Sequence, residues 1–311
     1  MSTQEAGPGA GSSAPLPSHG GRRRRSLEEA SLRVPFWIKL AIVWGAIFAI
    51  LIVLFWLTKF DTTWMRDNWS FIVGGVWITL FIAVCSIILA VVLALLGALG
   101  RISRNPISYG VSGFYTSFFR GTPLIVQMFL IYLALPQMAA SGPQWLRDAL
   151  TLEPVEAGII ALGLNYGAYM TEIFRAGIQS VGHGQREAAE ALGMGYRQLM
   201  RRVVLPQASR VIIPPTGNEF IAMLKDTALV SFLGASFRFM EIFRRAQLVG
   251  KADFRNLEAL ILAAGMYWLL TAIFTYFQSR LEKRMSKGYV RAAAGPAAQP
   301  GIGGLPPGEA H

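Results

Sequence analysis

Residues 185–207 read QREAAEALGMGYRQLMRRVVLPQ. The stretch is polar overall, yet it separates two apolar segments that are each long enough to cross a membrane. Its second half has a helical period. Tyr196, Leu199, Met200, Val203 and Val204 fall at i, i+3, i+4, i+7 and i+8, an apolar stripe with Arg197, Gln198, Arg201 and Arg202 largely off it. Leu205 precedes Pro206, so this helix is predicted to end there. The first half carries Ala188, Ala189, Ala191 and Leu192, and its small side chains allow close approach by another surface. Gly193 and Gly195 suit a break between the halves, because glycine tolerates the left-handed conformation that closes a helix. Two short helices with a break are more than a plain connection needs. On periodicity alone two readings stand: a hairpin lying on the membrane surface, or an element gripped by something outside the membrane.

The rest of the chain supplies the membrane. Of its 311 residues 53% are hydrophobic and 15% charged, against about 25% charged in an ordinary soluble domain. Leu- and Ile-rich runs without alternation argue for helices and against an outer-membrane barrel. Six spans are predicted: 37–57, 71–99, one beginning after Tyr109 and ending near Leu135-Pro136, 155–178, 212–233 and 257–277. The first is about 31 Å long at 1.5 Å per residue, too long for the core of a signal peptide. Residues 1–35 and 288–311 are rich in Gly, Pro, Ser or Ala and are predicted to be disordered tails. The expectation is an all-α polytopic membrane protein with six transmembrane helices.

The formal charge of +11 sits mostly beside the apolar spans, where a membrane protein needs its cations, which argues against nucleic acid as a partner. Arg22 to Arg25 and Arg33 precede the first span, Lys39 stands in its first turn, and Arg280, Lys283, Arg284, Lys287 and Arg291 follow the last. Both termini are therefore predicted to be cytoplasmic. Arg101 and Arg104, and then Arg186, Arg197, Arg201, Arg202 and Arg210, fall on the same side. One loop departs from the rule: Arg238, Arg244, Arg245, Lys251 and Arg255 lie outside, against only Glu241 and Asp253. That excess suits a surface meeting an acidic partner. The single cysteine, Cys85, allows no disulfide within the chain, and its expected role is packing. The sequence offers no nucleophile–base pair and no metal-ligand spacing, so no catalytic or metal site is expected.

Spacing decides between the two readings of residues 185–207. Glu187-Ala188-Ala189, three residues, Gly193, nine residues and Val203-x-Leu205-Pro206 resemble the EAA motif of ABC importer permeases, whose usual form has Ile at the position of Val203. The resemblance covers residues 69–284 and is strongest with the polar amino acid branch (histidine-, glutamine-, glutamate- and arginine-type permeases). Phe119-Arg120-Gly121-Thr122-Pro123-Leu124 with Gln127, Ala168-Tyr169 through Glu172 and Arg175, and Leu224-Lys225-Asp226-Thr227 with Leu229-Val230-Ser231 carry it. It implies a five-helix type I importer core in the bacterial inner membrane, with 36–58 as an additional N-terminal transmembrane helix. It also implies that residues 180–210 form a cytoplasmic coupling loop docking into an ATP-binding subunit. The chain has no GxxxxGK[ST] loop to cradle phosphates. The resemblance therefore implies separate ATPase subunits, two per transporter, that bind ATP and Mg. A second permease subunit, identical or homologous, and an extracytoplasmic binding protein delivering a polar amino acid are implied as well.

Charged groups inside a span cost roughly 2.5–3.5 kcal/mol each on insertion scales, so they line a cavity or find a partner. Asn165, Tyr169 and Glu172 share one helix face at i, i+4 and i+7. Glu172 has two readings, a carboxylate receiving the ammonium of a substrate and an intrahelical partner of Arg175. Lys225 and Asp226 are adjacent and cannot share a face. One of them lines the substrate path, or they form a helix break or an interspan ion pair, for example Lys225 with Glu172. Arg120 stands before Gly121-Thr122-Pro123 at the head of the third span, where open amides attract a substrate carboxylate. Its other reading is an interfacial anchor. Rival functions are an ion-coupled secondary transporter using Glu172 and Asp226, a membrane-embedded enzyme, and an EAA permease for a different solute. The first leaves the EAA spacing unexplained, the second lacks a catalytic constellation, and the FRGTP and LKDT stretches weigh against the third.

Overall fold

Every regular element is helical, with no strand among the described residues, in this computed structural model, which describes residues 35–57, 60–234 and 237–285. Apart from Pro35 the two predicted tails lie outside them. The chain divides into two units, 1–61 and 62–311. The first contains α1 (Phe36–Leu57). Its large side chains point outward all round, among them Trp37, Ile42, Trp44, Phe48, Ile52 and Trp56. A helix that is apolar on every side suits a hydrocarbon surrounding.

The second unit opens with α2 (Thr62–Val73) and α3 (Val76–Ile102). Next come α4 (Pro106–Gly121), the short α5 (Leu124–Phe129), a π turn (Leu130–Ala134), α6 (Leu135–Ala139) and α7 (Gln144–Leu150). The central α8 (Pro154–Gln179) is followed by α9 (His183–Ala191), α10 (Tyr196–Leu199), a second π turn (Met200–Val204) and α11 (Leu205–Asp226). Two 3₁₀ segments, Thr227–Leu233 and Phe237–Phe239, lead to α12 (Ile242–Ala252) and α13 (Asn256–Met285).

The core forms where α3 lies along α8. Ala90, Ala94, Gly97 and Ala98 on α3 and Gly158, Ala161, Gly163, Gly167 and Ala168 on α8 are buried. Small residues let two helix backbones approach, which is what drives association where lipid is as apolar as leucine. At Gly167 a β-carbon would sit 2.6 Å from the Tyr115 hydroxyl and 3.0 Å from Leu93 Cβ. That hydroxyl donates to the Leu164 carbonyl at 2.7 Å, pinning α4 to the same helix. A second cluster joins Ile72, Ala83, Ile242, Ala246, Ala259 and Met266 around α12 and α13.

Among the described residues three helical runs are long and apolar enough to cross a membrane: α1, residues 62–102 and α13. A fourth run is bent by 110° between α4 and the α5–α6 stretch. The bend has a local cause. Thr122 precedes Pro123 and is driven to an extended conformation (φ −118°, ψ 147°), which ends α4. The predicted fourth span is present as α8, and the predicted fifth is divided between α11, which ends at Asp226, and the 3₁₀ segment Thr227–Leu233. They carry Asn165, Glu172, Arg175, Asn218, Glu219, Lys225 and Asp226 and are too polar to stand in lipid alone. α11 also contains Pro214 and Pro215, which leave two carbonyls without amide partners one turn earlier. The Gln278 side chain of α13 donates to the Pro214 carbonyl at 2.6 Å beside this weakened stretch.

Gly167→Leu is expected to force α3 and α8 apart at the cost typical of overpacking, about 1–3 kcal/mol. Thermal unfolding in detergent should shift down by several degrees, and an unchanged transition would show that the contact is looser than described.

Candidate functional site

The segment expected to be the coupling loop, residues 180–210, begins where α8 ends. The Arg186 guanidinium donates to the Ile178 carbonyl at 2.6 Å, tying α9 to the last turn of α8. Gly193 is left-handed (φ 77°) with open space around its α-carbon. Its amide donates to Glu190, and the Met194 amide reaches back to Ala189 at 3.1 Å, a closing pattern that satisfies carbonyls at the end of α9. Gly195 is not left-handed but extended (φ −67°), and it opens α10. Glu187 and Ala188 are exposed, and Leu192 is 78% exposed. Ala189, Leu199 and Val204 are buried in the main core.

The predicted stop at Leu205 does not occur. The chain widens into the π turn at Met200–Val204 and continues as α11, with Pro206 in the first turn. A proline there needs no amide, so the new helix starts around it. Val203 and Leu205 are half-buried, and Pro206 is exposed. The second half of the segment therefore runs without a loop into α11.

A polar cavity of about 470 Å³ opens between α3, α4 and α8, lined by Arg101, Thr116, Ser117, Arg120, Tyr169 and Glu172. Glu172 meets Arg175 at 2.7 Å and Arg101 at 3.7 Å. The two readings of Glu172 are thus compatible: it is paired along its own helix and also faces a cavity. These side chains are partly exposed, so the pairs contribute little stability and open easily. The Nε of Arg101 is buried without a hydrogen-bond partner, and its guanidinium lies 4.6 Å from the Tyr109 ring centroid. Arg120 lies 5.4 Å from the Tyr169 ring centroid. Arg120 stands in the last turn of α4 rather than at the head of a span. A cation in that place complements the helix dipole.

The other sequence candidates lie elsewhere. Asn165 is buried and donates to the Phe119 carbonyl at 3.0 Å and to Gln127 Oε1 at 3.1 Å. Gln127 Nε2 in turn donates to the carbonyls of Phe119 and Thr122 and to Thr122 Oγ1. Two amide side chains thereby satisfy the backbone exposed by the 110° bend and fix the position of Arg120. Asp226 accepts from the Tyr166 hydroxyl at 2.8 Å. Lys225 is exposed and does not pair with Glu172, whose partners are the two arginines. Sequence reasoning did not single out Arg101. It was read as a cation flanking a span, and its pairing with Glu172 spans too much chain to be visible locally.

The basic loop before α13 is partly consumed by the fold. Arg245 donates to the carbonyls of Phe71 and Met240, and Arg255 pairs with Glu258 at 3.3 Å. Glu241 is 1% exposed and caps α12, accepting from the amides of Phe243 and Arg244 and from the Tyr267 hydroxyl. Burial pushes its carboxyl up to about 7 against the pull of these donors.

Residues 86–287 match the family described as "Binding-protein-dependent transport system inner membrane component". The chain is 39% identical over 233 residues to the probable amino-acid permease protein YxeN of Bacillus subtilis, covering 75% of this chain and 99% of that protein. It is 42% identical over 216 residues to the arginine transport system permease protein ArgU of Corynebacterium glutamicum, covering 68% and 67%. Among solved structures it resembles the crystal structure of an amino acid ABC transporter with histidines. There the TM-score is 0.64 at 35% identity, over 73% of this chain and 99% of that one.

If Asn165 and Gln127 act as one staple, Asn165→Ala and Gln127→Ala should each destabilise by about 1–3 kcal/mol. The double variant should lose clearly less than the sum. Additive losses in detergent unfolding would separate the two amides.

Proposed function

Because this chain belongs to the family of binding-protein-dependent transport system inner membrane components, we infer that it is a permease subunit of an ABC importer for amino acids. Relatives named as amino-acid, arginine and cystine permeases support the reading. The observation that carries it is the exposed α9–α10 segment. It is hinged at a left-handed Gly193, tied by Arg186 to the end of α8 and continuous with α11. Such an element takes a push from a partner and delivers it to two helices at once.

The partners of this reading are an ATP-binding subunit and an extracytoplasmic binding protein. We place two ATPase subunits in each transporter, binding the ATP and Mg, and a second permease, identical or homologous, beside this one. Exposed Glu187, Ala188 and Gly193 form the docking face, buried Ala189 packs it against the core, and Val203, Leu205 and Pro206 are its root. Six spans with both termini cytoplasmic, five in the core plus α1, satisfy the positive-inside distribution everywhere but in the 238–255 loop. Exposed Arg238 and Lys251 then face the binding protein.

A polar amino acid passes along the cavity between α3, α4 and α8. Its carboxylate is drawn to Arg101 and Arg120, and its ammonium competes with the arginines for Glu172. Asn165 and Asp226 hold the walls rather than the solute, and exposed Lys225 is left as a path candidate. ATP-driven closure moves α9–α10, which tilts α8 and α11 and shifts Glu172 against Arg101. An ion-coupled secondary transporter gives the docking segment no task.

Gly193→Asp places a side chain at a left-handed position on the docking face. It should abolish uptake while membrane insertion stays normal, and wild-type uptake by a well-expressed variant would refute the coupling role. Glu172→Ala should lower transport roughly tenfold, the loss of about 1.4 kcal/mol, with the ATPase subunit still co-purifying. Unchanged transport would leave Glu172 a purely structural partner of its arginines.

A further inference from the structure

Beside the coupling segment lies a cavity of about 980 Å³ whose three arginines the import reading leaves without a task. Its apolar wall is Leu95 and Leu99 of α3 with Leu205, and its rim carries Arg197, Arg201 and Arg202. None of its lining residues is acidic. Among the described residues these three arginines have no ion-pair or hydrogen-bond partner. All three are exposed.

The arrangement has a cost that an anion would remove. Arg197 and Arg201 are a like-charge pair at i, i+4, which is unfavourable on a helix. Arg201 and Arg202 sit within the π turn, a form found frequently at functional sites. Leu95 and Leu99 are one turn apart and both exposed, on a helical run apolar enough to cross a membrane. A guanidinium cluster thus meets an apolar strip at the membrane edge. A small soluble anion would use the arginines and leave the leucines bare. An acidic face of the ATPase would use the arginines but gain nothing from leucines on a helical run apolar enough to cross a membrane.

We propose that this cavity holds an anionic phospholipid of the cytoplasmic leaflet, its phosphate among Arg197, Arg201 and Arg202 and its acyl chain along Leu95 and Leu99. The proposal rests on the reading of residues 180–210 as the cytoplasmic coupling loop. The lipid ties the root of that loop to the membrane surface, so the anionic lipid content of the membrane sets how firmly the segment is held.

The test uses the complex of this chain with its ATPase subunit, in nanodiscs of phosphatidylcholine alone or mixed with phosphatidylglycerol. Native mass spectrometry counts the lipids that stay bound. Phosphatidylglycerol should be retained over phosphatidylcholine, and inorganic phosphate should not displace it. Changing Arg197, Arg201 and Arg202 to Gln should weaken retention by roughly fivefold per residue. The single Arg201→Gln variant and the triple Arg→Lys variant guard against misfolding: the first should lose part of the retention, the second little. Equal retention of both lipids, displacement by phosphate, or full retention by the triple Gln variant would overturn the proposal. So would release of the ATPase by the triple Gln variant in pure phosphatidylcholine, which would assign the arginines to a protein contact. Failure of the underlying reading looks different: Gly193→Asp would then leave ATP hydrolysis coupled to transport.

Discussion

The rest of the structure depends on how closely the backbones of α3 and α8 approach. Alanine and glycine face each other along that contact, so α8 is shielded by protein on the side that would otherwise meet lipid. The shielding lets α8 carry Asn165, Tyr166, Glu172 and Arg175, groups that are expensive in hydrocarbon. Each finds a partner on another element or its own: Asn165 on the bend, Tyr166 on Asp226, Glu172 on two arginines. Close packing and polarity are therefore one design. Widening the contact would admit lipid to groups that cannot tolerate it.

The same helix connects the cavity to the proposed coupling segment. Glu172 and Arg175 lie within two turns of Ile178, whose carbonyl receives Arg186 of α9. On the far side of Gly193 the chain enters α11 without a loop. A displacement of the α9–α10 segment is thus applied to both walls of the core, at α8 through the side-chain tie of α9 and at α11 through the helix that α10 and the π turn continue. The two connections differ in stiffness. α11 holds a tandem proline and loses backbone support there, so its two halves need not move as one.

The two halves of the story were unequally legible in the sequence. The break at Gly193 could be read because a left-handed position leaves a residue-type signature. The bend at Thr122-Pro123 follows a local rule as well, although its angle does not. The helix stop at Leu205 was a local rule that lost, because a π turn rebuilt the helix around Pro206. The face formed by Asn165, Tyr169 and Glu172 was visible, but its purpose divided. Tyr169 and Glu172 line the cavity, whereas Asn165 turns to Gln127 and to a carbonyl at the bend. That choice depends on where α4 ends in space, which no window of sequence contains. Arg101 was hidden for the same reason. Its neighbours in the chain describe a membrane edge, and its partner Glu172 lies on another helix.

The polarity of α8 and α11 bears on how the protein is made. A translocon sorts each segment by its own hydrophobicity, and these two offer a weak case for lateral release. α3 is strongly apolar and emerges from the ribosome first. It is positioned to act as a membrane-resident escort, offering α8 its small-residue face before α11 is synthesised. Biogenesis of this chain is then ordered from the N-terminus, and a lesion on the α3 face would harm the protein at birth, before any substrate reached it.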